Sequence, residues 1–235
     1  MTPPHLPNDL ARRLAIRCQL LDGNAHLPPG KEGVAHVIES LGYMQIDTIS
    51  VVARAHHHGL WTRRPDYNES LLHELQARDR RIFEYWGHAA SYLPMSDFRF
   101  SLPFKKKFHG PPTAKWEKER LARCADILEP VMTRIRDEGP LRSQDFDPLP
   151  GERRGEWWDW KPAKTALEIL VHGGHLMVDR RESFQRYYDL SERVLPASAE
   201  PPAYSVEDYQ RWAVLRSASC LGVATAPQIS DYYRI

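Results

Sequence analysis

Cysteine is scarce: Cys18, Cys124 and Cys220 lie scattered through 235 residues. An odd, dispersed set argues against a disulfide framework and makes a reducing cytoplasm the expected setting. Long apolar runs are missing as well. None approaches the ~20 residues that a membrane span needs. The N-terminal stretch carries Arg12, Arg13 and Arg17 but no clean apolar centre, so a secretory signal is not expected. Net charge is nearly absent at +1, so the chain as a whole is no electrostatic magnet for nucleic acid. With 42% hydrophobic and 27% charged residues, it has the composition of a soluble globular protein, long enough for one large domain or two small ones.

Several chemical templates are also lacking. There is no Gly-rich loop followed by Lys-Ser/Thr to cradle a phosphate, and no Gly-x-Ser-x-Gly nucleophile elbow. The histidines do not make a metal site on paper. His56, His57 and His58 are consecutive, so their rings should diverge. His73-Glu74 opens like a zinc-protease motif, but Ala77 stands where the second His belongs. His172 and His175 have no partner cysteines, and no Cys-x-x-Cys pair exists. No metal or other cofactor is expected. Trp157, Trp158 and Trp160 read as core and interface packing rather than base-stacking platforms.

What is present is mostly helical patterning with short strands, an α+β chain that is mainly α. Asn8 or Asp9 can cap a helix through Leu10, Leu14, Ile16 and Leu21, and Pro28-Pro29-Gly30 turns the chain. Val34, Val37, Ile38 and Leu41 recur at helical spacing from Gly33 to Ser40, stopping at Gly42. The Gln45/Asp47 segment reads as extended, Val51–Trp61 follows it with no element assigned, Tyr67–Ala77 reads as helix, and 101–115 as a basic loop or linker. Over Arg99–Arg123, Lys105, Lys106, Lys107, Lys115, Lys118 and Arg120, set against Glu117 and Glu119, form a local basic patch. Phosphate contact and a merely solvated loop both account for it.

Lys115–Glu138 is a long amphipathic helix, starting afresh or kinking at Pro130 and ended by Gly139-Pro140. A short extended piece (Leu141 to Ser143), a short helix at Gln144–Phe146 and a helix over Pro162–His172 follow. Two strands, Leu176–Asp179 and Phe184–Tyr188, are joined through a turn at Arg180–Ser183. That order is the order of a winged helix-turn-helix unit. Its third helix offers Lys161 and Lys164, and its wing offers Arg180 and Arg181, for DNA contact. Winged helices also serve as protein-interaction modules or scaffolds, so the order alone does not fix function. Helix over Val206–Leu221, a stop at Gly222, extended Val223–Ala226 and helix over Gln228–Arg234 copy the first half of this unit. The copy stops at Ile235, which predicts that the sequence is a truncated part of a longer protein.

The segment with most chemical content is Leu41-Gly42-Tyr43-Met44-Gln45-Ile46-Asp47-Thr48-Ile49. In an extended chain alternate side chains share a face, so Gln45 and Asp47 project together, roughly 6–7 Å apart. Met44, Ile46 and Thr48 face the other way. An amide and a carboxylate pinned by apolar neighbours can hold a water between two oxygens. Arg54, His56 and Arg63 follow closely and add cationic or protonatable groups, a combination suited to chemistry on a polyanion.

At these residues the chain resembles the YcaQ/AlkZ-type winged-helix DNA glycosylases, which unhook interstrand crosslinks and excise N7-alkylated purines. The stretches that carry the resemblance are LGYMQIDTISVVARAHHHGLWTR, RRIFEYWGHAASYLPM and WWDWKPAKTALEILVHGGHLMVDRRESFQRYYDLSERVLP; it extends over nearly everything from residue 8 onward. The family's catalytic signature is Gln-x-Asp in one branch and Gln-x-Gln in the other, and Gln45-Ile46-Asp47 matches the first. The resemblance implies three tandem winged-helix units forming a concave DNA-binding surface. Here they would be a catalytic unit over 1–114, a second over 115–200 and the start of a third over 201–235. This chain departs from the family by ending inside the third unit.

The implied chemistry needs no metal. N7 alkylation makes the purine a cationic leaving group, so what remains is to stabilise an oxocarbenium-like sugar and deliver water to C1′. Asp47 would take the water's proton and Gln45 would orient the water, while Arg54, His56 and Arg63 would bind phosphates. The implied partner is double-stranded DNA carrying alkylated or crosslinked purines. The alternative is a non-enzymatic winged-helix DNA-binding regulator or scaffold, in which the Gln45/Asp47 pair would be buried against neighbouring side chains. A metal-dependent nuclease would want a carboxylate cluster near this site, and the sequence has none there.

Overall fold

The computed structural model describes residues 5–23, 26–87, 89–101, 115–146, 162–199 and 205–235. The basic loop at 102–114, the Trp157/Trp158/Trp160 group and Lys161 lie outside them. The described residues are mainly helical, with two small antiparallel sheets. No described helix is long and apolar enough to cross a membrane. Two compact units form: Met1–Phe100 together with Ala203–Ile235, and Ser101–Pro202.

In the first unit, α1 (Asn8–Cys18) is a surface helix with no buried residue, and α2 (Gly30–Leu41) is the central one. Val34, Val37, Ile38 and Leu41 repeat at helical spacing, so one face of α2 goes under while Lys31 and Glu39 stay at the surface. Each such side chain, fully buried, contributes about 1.5–3 kcal/mol. Gly42 ends the helix at φ +77°, a conformation that favours glycine. Next come the two-residue strand β1 (Met44–Gln45), α3 (Ala55–Trp61), α4 (Glu69–Ala77), β2 (Ile82–Trp86) and β3 (Ala90–Pro94). The sheet order is β1-β3-β2, antiparallel throughout. Asn68 caps α4 by accepting from the Ser70 N–H.

Two of these features depart from the sequence reading. Residues 55–61, to which that reading assigns no element, are helical: α3 buries His56, His57 and Leu60 on one face although two of the three are not apolar. The hairpin of β2 and β3 has no counterpart in that reading. Its first strand, Ile82-Phe83-Glu84-Tyr85, is buried at four successive positions, so the two-residue alternation that marks a half-exposed strand is absent.

The C-terminal helices α8 (Val206–Leu221) and α9 (Ala226–Tyr232) belong to this first unit. Arg216 reaches Asp97 at 3.1 Å and the main-chain carbonyl of Glu39. Tyr232 donates to the Leu41 carbonyl at 2.6 Å, and Phe100 stacks on Trp212 with centroids 4.2 Å apart.

In the second unit, α5 (Lys115–Glu138) runs as one helix through Pro130. It packs with α6 (Pro162–His172) against the hairpin β4 (Leu176–Glu182) and β5 (Gln185–Leu190), and α7 (Ser191–Val194) follows. The core is Ile127, Val131, Ile135, Phe146, Leu167, Leu170, Leu176 and Tyr188. Leu141 forms a bridge with Tyr188, which adds a single strand-like residue to the hairpin. The turn falls at Ser183 and Phe184, both at positive φ (47° and 67°), not at Arg180–Ser183. Arg180 and Arg181 are therefore strand residues. The misplacement has a local cause: a tight turn of this kind favours glycine or asparagine, and neither is present.

Candidate active site

The Gln45/Asp47 segment is held from behind and from both sides. Behind it, Tyr43 packs between Tyr232 and Tyr233, at 5.2 and 6.1 Å between ring centroids. Beside it, Met44 pairs with Tyr92 and Gln45 with Ser91, and the Ile46 N–H donates to the Ala90 carbonyl at 2.8 Å. Met44 and Ile46 are buried, Gln45 is exposed and Asp47 is intermediate. The alternation expected from the sequence is therefore present over 44–47 and ends there, since Thr48, expected on the covered side, is exposed; the regular strand is only two residues long.

Antiparallel neighbours in register share a face. Gln45, Ser91 and Tyr85 thus line one side of the sheet, with Asp47 next along that side just past the strand end. Tyr85 is buried and its hydroxyl is pushed well above the ordinary tyrosine range by that burial, so it is a neutral donor. Met44, Tyr92 and Glu84 occupy the opposite face.

Asp47 is fixed by two further contacts. Its Oδ1 accepts from the Ile49 N–H at 2.8 Å, a turn closed by the side chain itself. Its own main-chain N–H donates to Nδ1 of His56 at 3.3 Å. A ring nitrogen that accepts carries no proton, so this contact calls for the Nε2–H tautomer of His56. The ring is buried against Tyr92, centroids 6.0 Å apart. No pattern in the sequence distinguishes this acceptor role from phosphate binding; it depends on the way α3 returns alongside β1.

The remaining candidates are dispersed. Arg54 precedes α3 in an extended conformation and forms a bridge with Ser50. Arg63 donates from Nε to the Gln19 carbonyl at 2.8 Å and from Nη1 to the Gly59 carbonyl at 2.9 Å. Burial draws its guanidinium below the usual arginine range. Arg63 thus fastens α3 to the end of α1. In the second unit Lys164 is exposed on α6. Arg180 is held between Asp179 at 2.7 Å and Glu182 at 2.6 Å. Arg181 is buried and donates to the Phe184 carbonyl at 2.8 Å.

The three histidines do not simply diverge. His56 and His57 lie with ring centroids 4.1 Å apart, while His58 is exposed and meets Trp61 edge-on. His57 Nδ1 meets the Tyr67 hydroxyl at 2.8 Å, and Nε2 lies 3.5 Å from Glu69. Among the described residues no group of three or more His, Cys, Asp or Glu is placed to hold a metal ion.

The site therefore offers solvent an amide and a carboxylate on one face of a braced strand end. Comparison with known proteins adds two findings. The solved structure of Streptomyces sahachiroi DNA glycosylase AlkZ has a similar fold, with TM-score 0.61 and 12% sequence identity. The match covers 95% of this chain, which spans 63% of the length of that structure. A sequence model of the family described as "DNA glycosylase AlkZ-like" matches residues 38–235, a span that begins in α2 and contains Gln45, Asp47 and every helix and strand after them; the chain belongs to the AlkZ-like DNA glycosylase family.

Proposed function

We propose that this chain acts in DNA repair as a glycosylase, hydrolysing the N-glycosidic bond of N7-alkylated purines, interstrand crosslinks included. The observation that carries the reading is the joint presentation of Gln45 and Asp47. Both project from one side of a strand end whose backbone is fixed by β3, by the Ile49 turn and by His56. A regulator or scaffold would bury that pair, whereas Gln45 is exposed and Asp47 only partly covered.

The reaction follows from the charges. The alkylated purine carries a positive charge and leaves as a neutral base when the C1′–N9 bond electrons pass to it. Asp47 Oδ1 is engaged by the Ile49 N–H, which leaves Oδ2 to face the developing positive charge on the sugar and to accept a proton from the attacking water. The Gln45 carbonyl orients that water and its amide contacts the DNA. Water oxygen bonds to C1′, its proton goes to Asp47, and an abasic site remains. The chemistry calls for no cofactor. A crosslinked base cannot swing into a closed pocket, which fits a site at an exposed strand end.

The order α2-β1-α3-α4-β2-β3 is that of a winged helix-turn-helix unit. The second unit keeps part of that order, with the Leu141 bridge in place of its first strand and the three-residue 3-10 turn Ser143–Asp145 in place of its second helix. We read 201–235 as the opening of a third such unit, docked against the first. Arg54, Lys161 and Lys164 are the cations we assign to phosphate contact. His56 and Arg63 act there by positioning, and Arg180 and Arg181 add less because Asp179, Glu182 and the Phe184 carbonyl already engage them. The protein would work in the cytoplasm, on the nucleoid.

The test is release of free base from duplex DNA carrying N7-methylguanine or a nitrogen-mustard crosslink. Base release leaving an alkali-labile strand is expected; tight duplex binding with no base loss would favour the regulator.

A further inference from the structure

The loop that follows Asp47 is built against ordinary loop chemistry. Surface turns favour Gly, Asn, Asp and Ser. Here Ile49 is 71% exposed, Val51 91% and Val52 88%. The two valines are β-branched and stiff. Both ends of the loop are anchored: Asp47 Oδ1 holds the Ile49 N–H, and Ser50 bridges to Arg54, whose carbonyl accepts from the His57 N–H at 2.9 Å as α3 begins. The tip at Val51 and Val52 therefore stands on a fixed base and, among the described residues of its own unit, is left uncovered.

Position gives the tip a target. Four residues of extended chain span at most about 14 Å, so Val51 lies within that distance of Asp47. A base step adjoining a C1′ seated at Asp47 falls within the same reach. A second apolar group sits at the same end of the sheet. Trp86 is 57% exposed, pairs with Ala90, and Ala90 accepts from the Ile46 N–H, one residue before Asp47.

We infer that Val51 and Val52 form an apolar wedge that enters the base step next to the lesion in duplex DNA, opening the stack so that the lesion's C1′ meets Gln45 and Asp47. The inference rests on the glycosylase reading and deepens it. Apolar side chains pushed between base steps unstack them and kink the duplex. Such a device suits a crosslinked base, which has to be reached within the duplex because it cannot be drawn out of it.

The test compares the wild-type chain with a Val51→Ser/Val52→Ser double variant; both side chains are exposed, so folding is preserved. The first probe is base release from N7-methylguanine in duplex and in single-stranded oligonucleotides. The second is fluorescence of 2-aminopurine placed beside the lesion, which rises when the duplex is unstacked on binding. The expected result is a loss of about tenfold or more on duplex, with an unchanged single-strand rate and a lost fluorescence rise. A conservative Val51→Leu/Val52→Leu variant should keep both. Equal rates on duplex, equal losses on both substrates, or an unchanged fluorescence rise would overturn the wedge. Equal losses on both substrates would make the valines a support of the Gln45/Asp47 strand end, and an unchanged fluorescence rise would leave them as an apolar contact for another protein or a second copy. Base release by the wild type tests the glycosylase reading separately. The fluorescence arm needs no catalysis, so it decides the role of the loop even if no base is released.

Discussion

The main-chain N–H of Asp47 donates to Nδ1 of His56 across 3.3 Å, tying the carboxylate that we propose as the base to the first turn of α3. This bond sets where the Asp47 backbone stands, and it requires a neutral His56 ring. His56→Ala should therefore lower kcat for base release by about tenfold to a hundredfold through misplacement of Asp47. KM for DNA should stay unchanged, and His56→Gln, which keeps an acceptor, should recover part of the rate. A rise in KM at constant kcat would instead assign His56 to phosphate binding.

Gly42 joins α2 to β1 at φ +77°, and a Cβ there would lie 2.2 Å from the Tyr233 hydroxyl oxygen and 3.2 Å from Cys220 Sγ. Gly42→Ala should cost about 2 kcal/mol or more from backbone strain and overpacking. For a chain of this size that is a fall in Tm of about 4–8 °C. Differential scanning calorimetry checks it, and an unchanged Tm would mean that the tyrosine clasp of α9 gives way freely.

Burial holds His57 below the ordinary histidine range, with Arg54, His73 and His58 acting in the same direction and Glu69 opposing them. In the folded protein the ring thus resists a proton that the unfolded chain accepts. The stability tied to this depression is complete above about pH 6.5 and is lost as pH falls from there. Urea midpoints at about pH 7.5 and about pH 5.5 should show the wild type losing more stability on acidification than His57→Phe. That variant keeps an aromatic ring beside Tyr67 but cannot titrate; an equal loss in both proteins would place the titrating group elsewhere.

How far the sequence foretells this structure depends on the kind of signal each element carries. The helices at Lys115–Glu138 and Pro162–His172 have strong apolar periodicity and are punctuated by Gly139-Pro140 and Gly173-Gly174, and their predicted and observed spans coincide. The Gln45/Asp47 presentation is also legible, because Met44 and Ile46 anchor the alternation. The β2–β3 hairpin is not, since a strand buried at four successive positions carries no alternation and its tip carries no Asn-Gly. Nor is α3, whose buried face consists of two histidines and a leucine. The destinations of Arg63 and His56 are tertiary facts. One guanidinium closes on carbonyls 44 and 4 residues away, and one imidazole meets an N–H 9 residues back.

The central claim is that Asp47 is the group that draws the proton from water. Asp47→Asn isolates it, because an asparagine Oδ1 can still accept from the Ile49 N–H and preserve the turn. The direct measurement is single-turnover release of N7-methylguanine from duplex DNA, with binding of the same duplex followed in parallel. The expected result is a fall of about a hundredfold or more in the rate, with duplex binding retained. Wild-type rates from Asp47→Asn would contradict the account.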